Sequence, residues 1–261
     1  RSPLGGRNFE YFSEDPFLSA ELAVEFIKTV QKNGVGTSLK HYVANNQEYK
    51  RFSIDAQIEE RPLREIYLAA FEKVIKEANP WTVMAAYNQI NGDFATENDY
   101  LLQDILRDQW GYDNLVVSDW WAVHNRVKAL KAGLDLEMPG ADPVNDQKVI
   151  DAVQAGELKE EVVDQAVRRI LELILKTQKT AKKDFKLPVE EHHQLAKEIA
   201  GETIVLLKNQ GSLLPLTAAK LADKESILVV GELAQKPRYQ GIGSSQVNPT
   251  RLDNHYQALE D

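Results

Sequence analysis

Four short strand candidates in this chain end in residues that can do chemistry. Leu115-Val116-Val117 runs into Ser118-Asp119-Trp120-Trp121, a carboxylate followed by two indoles. Thr37-Ser38-Leu39 leads to Lys40-His41, Thr82-Val-Met-Ala-Ala86 to Tyr87-Asn88, and Leu134-Asp-Leu136 to Glu137. A wholly apolar run is the signature of a strand buried on both faces of a parallel sheet. The carboxyl ends of such strands are where α/β folds bind ligands. An acid beside large flat side chains suits a neutral, ring-shaped substrate such as a sugar, and two carboxylates suit acetal cleavage. One attacks or stabilises the anomeric carbon while the other protonates the leaving oxygen. Arg7, Lys40 and His41 would hold sugar hydroxyls, and Trp120 would cover an apolar sugar face.

Each residue also has a structural reading. Asp119 could cap the helix that follows it, since Asp is a favoured N-cap. On spacing, Glu137 is the natural second carboxylate, and equally a partner for Lys40 or an arginine. His41 has no second ligand at metal-binding spacing, and His192-His193 on a polar helix start read as solvated, so no metal is expected. Gly231 to Gly243 is too widely spaced for a dinucleotide fingerprint, so no cofactor is expected.

The elements that must position these groups alternate. Asp15-Pro16 starts a helix with Leu18, Leu22, Phe26 and Val30 as its apolar stripe, ended by Gly34. A strand over 37–46 is followed by a helix from Pro62 to Glu77 with Leu63, Ile66, Ala70, Phe71 and Val74 facing inward. After the strand at Thr82, Asn91-Gly92 marks a turn. Helices are expected over Asn98–Asp108, Val123–Lys131, Asp146–Ala155 and Glu160–Lys176, with Leu134–Pro139 as a fourth strand. This is βα grammar. An eight-stranded βα barrel takes about 250 residues, and only four or five strand candidates precede residue 178. The expected fold is therefore α/β, a parallel sheet or a barrel that is incomplete over residues 1–177. A linker over 178–190 precedes the opening of a second α/β unit over 191–261, with a strand at Ser226–Gly231 and a small-residue loop at Gly241-Ile-Gly243.

Composition is that of a globular chain, 43% hydrophobic and 27% charged, with net charge −9 and no cysteine. The absence of a basic cluster argues against nucleic acid, and no apolar run is long enough to cross a membrane. The missing cysteines exclude disulfides and thiolate nucleophiles but assign no compartment. The chain begins at Arg1 without a signal segment, as expected if a leader has been removed or the chain starts inside a larger protein, and the loop-like residues from Arg1 to Asp15 favour the second.

Five ordered stretches resemble family 3 glycoside hydrolases: Gly6-Arg-Asn-Phe-Glu-Tyr-Phe-Ser-Glu-Asp-Pro16, Lys40-His-Tyr-Val-Ala-Asn45, Val83-Met-Ala-Ala-Tyr-Asn88, Val117-Ser-Asp-Trp120 and Gly133-Leu-Asp-Leu-Glu-Met-Pro139. Thr203-Ile-Val-Leu-Leu-Lys-Asn209 with Leu213-Leu-Pro-Leu216 is similar to the family's entry into its second domain. The resemblance implies a retaining mechanism with Asp119 as nucleophile and Arg7, Lys40, His41 and Tyr87 lining the glycone subsite. It implies the β-glucosidase branch, acting on a β-glucoside or oligosaccharide, with β-xylosidase and a non-catalytic carbohydrate-binding fragment as alternatives. It also places the acid/base glutamate beyond Asp261, against Glu137. It implies that residues 1–177 belong to a (β/α)8 TIM-type barrel with its N-terminal strands missing and residues 191–261 to the beginning of an α/β sandwich domain. Further segments of the same enzyme, or a second chain, are then expected to complete the barrel, and a homo-oligomer is left open.

Overall fold

The computed structural model describes residues 5–140, 143–182, 184–222, 227–241 and 243–260, and the chain divides into two compact units, 1–182 and 183–261. In unit 1, Asp15 accepts a hydrogen bond from the Phe17 N–H (2.9 Å) and Pro16 opens helix α1 (Pro16–Lys32). The predicted stripe of this helix is its outer face. Leu18, Leu22 and Phe26 are exposed, whereas Ala20, Ala23, Val24 and Ile27 are buried. Both sets keep helical spacing. The alanine side allows close approach, so it meets Val74 and Ala78 of a following helix while the larger side chains stay outside.

Six strands occur among the described residues: β1 (Ser38–Tyr42), β2 (Asp55–Ala56), β3 (Thr82–Ala85), β4 (Gln89–Ile90), β5 (Asp93–Phe94) and β6 (Leu115–Ser118). β1, β3 and β6 form a parallel sheet in that order, with Thr82 paired to Ser38 on one side and Leu115 on the other. β2, β4 and β5 make a small second sheet, closed by the Asn91-Gly92 turn. The expected fourth strand, Leu134–Pro139, is reduced to a parallel bridge between Val117 and Leu136. Beyond that bridge a side chain takes over the ladder, because Ser118 Oγ accepts from the Met138 N–H at 2.8 Å.

The second predicted helix is longer and less regular than its apolar spacing suggests. α2 (Glu60–Pro62) continues through a π-helical stretch, Leu63–Leu68, into α3 (Ala69–Ala78). Leu63 and Leu68, five residues apart, are both buried in register with i→i+5 bonding, and Ile66 turns outward against expectation. A second π-helical stretch, Tyr100–Gln109, buries Leu101, Leu102, Ile105 and Leu106. α4 (Arg126–Ala132) starts later than predicted because Asn125 is its cap, accepting from the Lys128 N–H, and Gly133 (φ 104°) ends it. α5 (Pro143–Gln154) and α6 (Glu160–Thr180) complete the unit. One core cluster, including Tyr42, Val83, Ile90, Leu101, Leu106 and Val116, lies between the parallel sheet and the helices.

Unit 2 contains α7 (Val189–Thr203), α8 (Ala218–Leu221) and α9 (His255–Glu260). The strand expected over Ser226–Gly231 is not formed. Ser226 lies outside the described residues, and Ile227–Val230 make no ladder, with Leu228 and Val230 more than 80% exposed. A strand exists only with a partner, and the described residues of this unit supply none. Ile242 of the small-residue loop also lies outside the described residues; Gly243–Ser245 form a 3-10 turn. The chain is thus α/β, and no described helix is long and apolar enough to cross a membrane.

Candidate active site

β6 is buried along its whole length, and Asp119, the next residue, continues its pairing through an N–H bond to the Ala85 carbonyl (3.1 Å). The carboxylate is therefore fixed where the strand ends, 7% exposed. It caps no helix. Its Oδ1 accepts from the Trp120 N–H (2.7 Å), and no described residue donates to Oδ2 with ordinary hydrogen-bond geometry.

Two other strand ends aim at this carboxylate. In β1 the register shifts between Leu39 and Tyr42, and the last two residues are both buried. Tyr42 is drawn to the helix layer by a hydrogen bond from its hydroxyl to the Leu101 carbonyl (2.8 Å). His41 points to the other side, where its Nε2 lies 3.4 Å from Asp119 Oδ2. From the end of β3, the Tyr87 phenol faces the same carboxylate. Burial first, and then Asp119, push that phenol well above its ordinary pKa, so Tyr87 stays protonated. Its ring packs edge-on against Phe52 (4.7 Å between centroids) and under the Arg51 guanidinium (4.4 Å), which Glu48 holds at 2.8 Å.

The loop before α1 adds two residues that strand-end reasoning missed. Glu10 binds both cations of the predicted set: its Oε1 and Oε2 take the Arg7 guanidinium at 2.5 and 2.8 Å, and Oε2 also takes Lys40 Nζ at 2.7 Å. Burial alone would raise the Glu10 pKa, but the two cations outweigh it and hold the carboxyl down at about 2. Tyr11, the next residue, has its hydroxyl 2.5 Å from His41 Nδ1. The signal was present, since Glu10 and Tyr11 lie in the same loop as Arg7, but nothing in their spacing says which strand they meet.

Arg7, Lys40, His41, Tyr87 and Asp119 thus form one connected cluster, with Trp120 beside it and its indole 40% exposed. Glu137 is engaged elsewhere: its carboxylate faces Arg126 Nε (3.6 Å) and accepts from Asn145 (3.2 Å), which is the arginine-partner alternative. A cavity of about 520 Å³ opens beside the cluster between residues 10–14, the end of β1 and the helical stretch from Ile66 to Val74; Lys40 and His41 line it, Asp119 and Tyr87 do not. Among the described residues, no three His, Asp or Glu side chains gather as a metal-ligand set.

A buried carboxylate at a parallel strand end, faced by imidazole and phenol and rimmed by cations, lies where α/β proteins bind ligands and is suited chemically to a neutral, hydroxyl-bearing one. Residues 1–173 match the glycosyl hydrolase family 3 N terminal domain, and residues 204–261 match its C-terminal domain. The chain belongs to glycosyl hydrolase family 3. It is 50% identical over 260 residues to thermostable beta-glucosidase B of Acetivibrio thermocellus, a match covering 100% of this chain and 34% of that protein. It is 45% identical over 266 residues to an exo-alpha-(1->6)-L-arabinopyranosidase of Bifidobacterium longum, covering 100% of this chain and 35% of that one. Beta-glucosidase 3B from Thermotoga neapolitana, solved with alpha-D-glucose, superposes with a TM-score of 0.91 at 39% identity, over 100% of this chain and 37% of its own. The chain spans about a third of the length of these relatives.

Proposed function

We propose that this chain carries the glycone-binding and nucleophile half of a retaining β-glucosidase that releases terminal β-D-glucosyl residues. The observation that carries the reading is the Asp119 carboxylate, buried at the meeting point of three strand ends and facing His41 and the Tyr87 phenol rather than an arginine or lysine. A carboxylate not paired to such a cation keeps its negative charge available for an electrophilic carbon. Asp119 attacks the anomeric carbon as the bond to the leaving oxygen breaks, giving a glycosyl ester that water then hydrolyses. Arg7, Lys40 and His41 donate to sugar hydroxyls, the protonated Tyr87 steadies the carboxylate, and Trp120 covers the sugar's apolar face.

The reading includes an eight-stranded barrel, of which β1, β3, β6 and the Leu136 bridge are an arc spanning residues 1–177. A linker over 178–190 and a sandwich domain from 191 follow. It assigns the general acid, as the family resemblance implies, to a carboxylate outside this chain; Arg126 and Asn145 occupy Glu137.

Mass mapping after incubation with a 2-deoxy-2-fluoro-β-glucoside bearing a good leaving group tests the proposal, since that substrate needs little acid assistance. A glycosyl adduct on Asp119 is expected; an adduct on another carboxylate, or none on folded protein, overturns it. A second reading, an arabinopyranosyl glycone, is favoured by the arabinopyranosidase relative. Faster labelling by the corresponding fluoro-arabinopyranoside would select it.

A further inference from the structure

The hydroxyl of Tyr11 lies 2.5 Å from His41 Nδ1, and the other ring nitrogen, Nε2, lies 3.4 Å from Asp119 Oδ2. The ring is 3% exposed, so both neighbours act on it at short range with little water between. These contacts decide the proton's position. An unprotonated Nε2 would set its lone pair against carboxylate lone pairs, so Nε2 carries the hydrogen. In the neutral imidazole Nδ1 is then the acceptor, and the Tyr11 hydroxyl must be its donor. Asp119 faces the ring from the end of β6, Tyr11 from the loop before α1, and Lys40 precedes it in β1 with its charge already taken by Glu10.

We infer that Tyr11 is a positioning residue, whose hydroxyl locks the His41 imidazole in the Nε2–H tautomer and in the orientation that presents that N–H beside Asp119. Its part in the proposed reaction runs through His41. The inference deepens the glucosidase reading above and rests on it for its consequence. The lock itself is a property of the folded chain. The arrangement follows the general rule that a functional imidazole is oriented by the group on its other nitrogen. Removing the hydroxyl takes that donor away from Nδ1 and lets the ring turn about its Cβ–Cγ bond or take up its proton on the wrong side.

The test is a long-range ¹H–¹⁵N spectrum of the histidine rings in the unaltered chain and in Tyr11→Phe, with backbone amide spectra as the control for folding. His41 is expected as a single Nε2–H tautomer in the unaltered chain and as a mixture in the variant. An Nδ1–H tautomer in the unaltered chain overturns the inference even if the variant fails to fold, and so does an unchanged single tautomer in a folded variant. Labelling of Asp119 by the fluoro-glucoside supplies the second measurement. At saturation its rate constant should fall about tenfold, the size of one orienting hydrogen bond, with little change in the half-saturating concentration. A tautomer shift without any labelling in either protein would retain the lock and defeat the glucosidase reading, so the two failures are distinguishable.

Discussion

The two ends of β6 hold buried carboxylates whose surroundings differ in kind. At the carboxyl end, Asp119 accepts one backbone N–H on Oδ1, and its Oδ2 faces His41 at 3.4 Å. At the amino end, Asp135 is fully engaged. Its Oδ2 accepts from Arg107 (2.8 Å) and the Val116 N–H (2.7 Å), and its Oδ1 accepts from Arg169 (3.0 Å). Arg107 also donates to the carbonyls of Tyr112, Asn114 and Gly133, tying the loops on both sides of β6 together. Both acids are buried to a similar degree, so burial does not tell a chemical carboxylate from a structural one. Donor saturation does. An acid whose two oxygens are held by arginines and a backbone N–H holds the fold, and one with few donors and no arginine is poised for a ligand.

Substitutions at the two acids should separate the ends most strongly. Asp119→Ala is expected to lower turnover of an activated aryl β-glucoside by on the order of 10⁴-fold or more, since the proposed nucleophile has no substitute. Its urea midpoint should barely fall, because few hydrogen bonds are lost. Asp135→Ala should do the reverse: removing one partner leaves Arg107 and the Val116 N–H buried and uncompensated, costing about 3–5 kcal/mol in urea unfolding. Equal loss of stability in both variants would erase the distinction.

A smaller effect sits at the rim of the carboxyl-end site. Glu10 has its pKa lowered from 4.5 to about 2 by Arg7 and Lys40 against the burial that would raise it. A depressed folded-state pKa stabilises the protein above the unfolded value, and that stability is lost as pH falls from about 4.5 through 2. Discounted for solvent at this partly open loop, the term is about 1–2 kcal/mol. Glu10→Gln should therefore unfold less steeply in acid than the parent between pH 4.5 and 2, as followed by circular dichroism. It should also weaken sugar binding, since Arg7 and Lys40 lose their shared anchor.

How much of this was legible in the sequence follows from the range of the forces involved. Leu115-Val-Val117 buried on both faces and Asn91-Gly92 turning a hairpin are local, and both appear as their residue types demand. Lys40-His41, Tyr87 and Asp119 could be gathered from the chain alone, because parallel strands bring their carboxyl ends to one side whatever the intervening helices do. Faces of helices were less legible. In α1, two helical stripes compete, and only the neighbour, α3, decides that Ala23 and Ile27 go in while Leu22 and Phe26 stay out. Glu137 could not be separated from a catalytic acid until Arg126 was seen beside it, 11 residues back in the chain but adjacent in space. Tyr11 was missed for the same reason, since its partner lies 30 residues on.

The amino-end network has its own gradient, and the smallest effect tests it. Arg168 and Arg169 are consecutive residues of α6 that both reach the exposed carboxylate of Asp113, at 3.3 and 2.8 Å. Only Arg169 also reaches the buried Asp135, and its side chain is 12% exposed against 46% for Arg168. The pair to Asp113 is solvent-screened and holds two mobile side chains, so Arg168→Ala should cost no more than about 0.5 kcal/mol in urea unfolding. Arg169→Ala removes a donor from a buried carboxylate and should cost about 1.5–3 kcal/mol. If the two variants unfold at the same urea concentration, Asp135 does not depend on its third donor. The saturation that separates it from Asp119 would then be geometry without energetic weight.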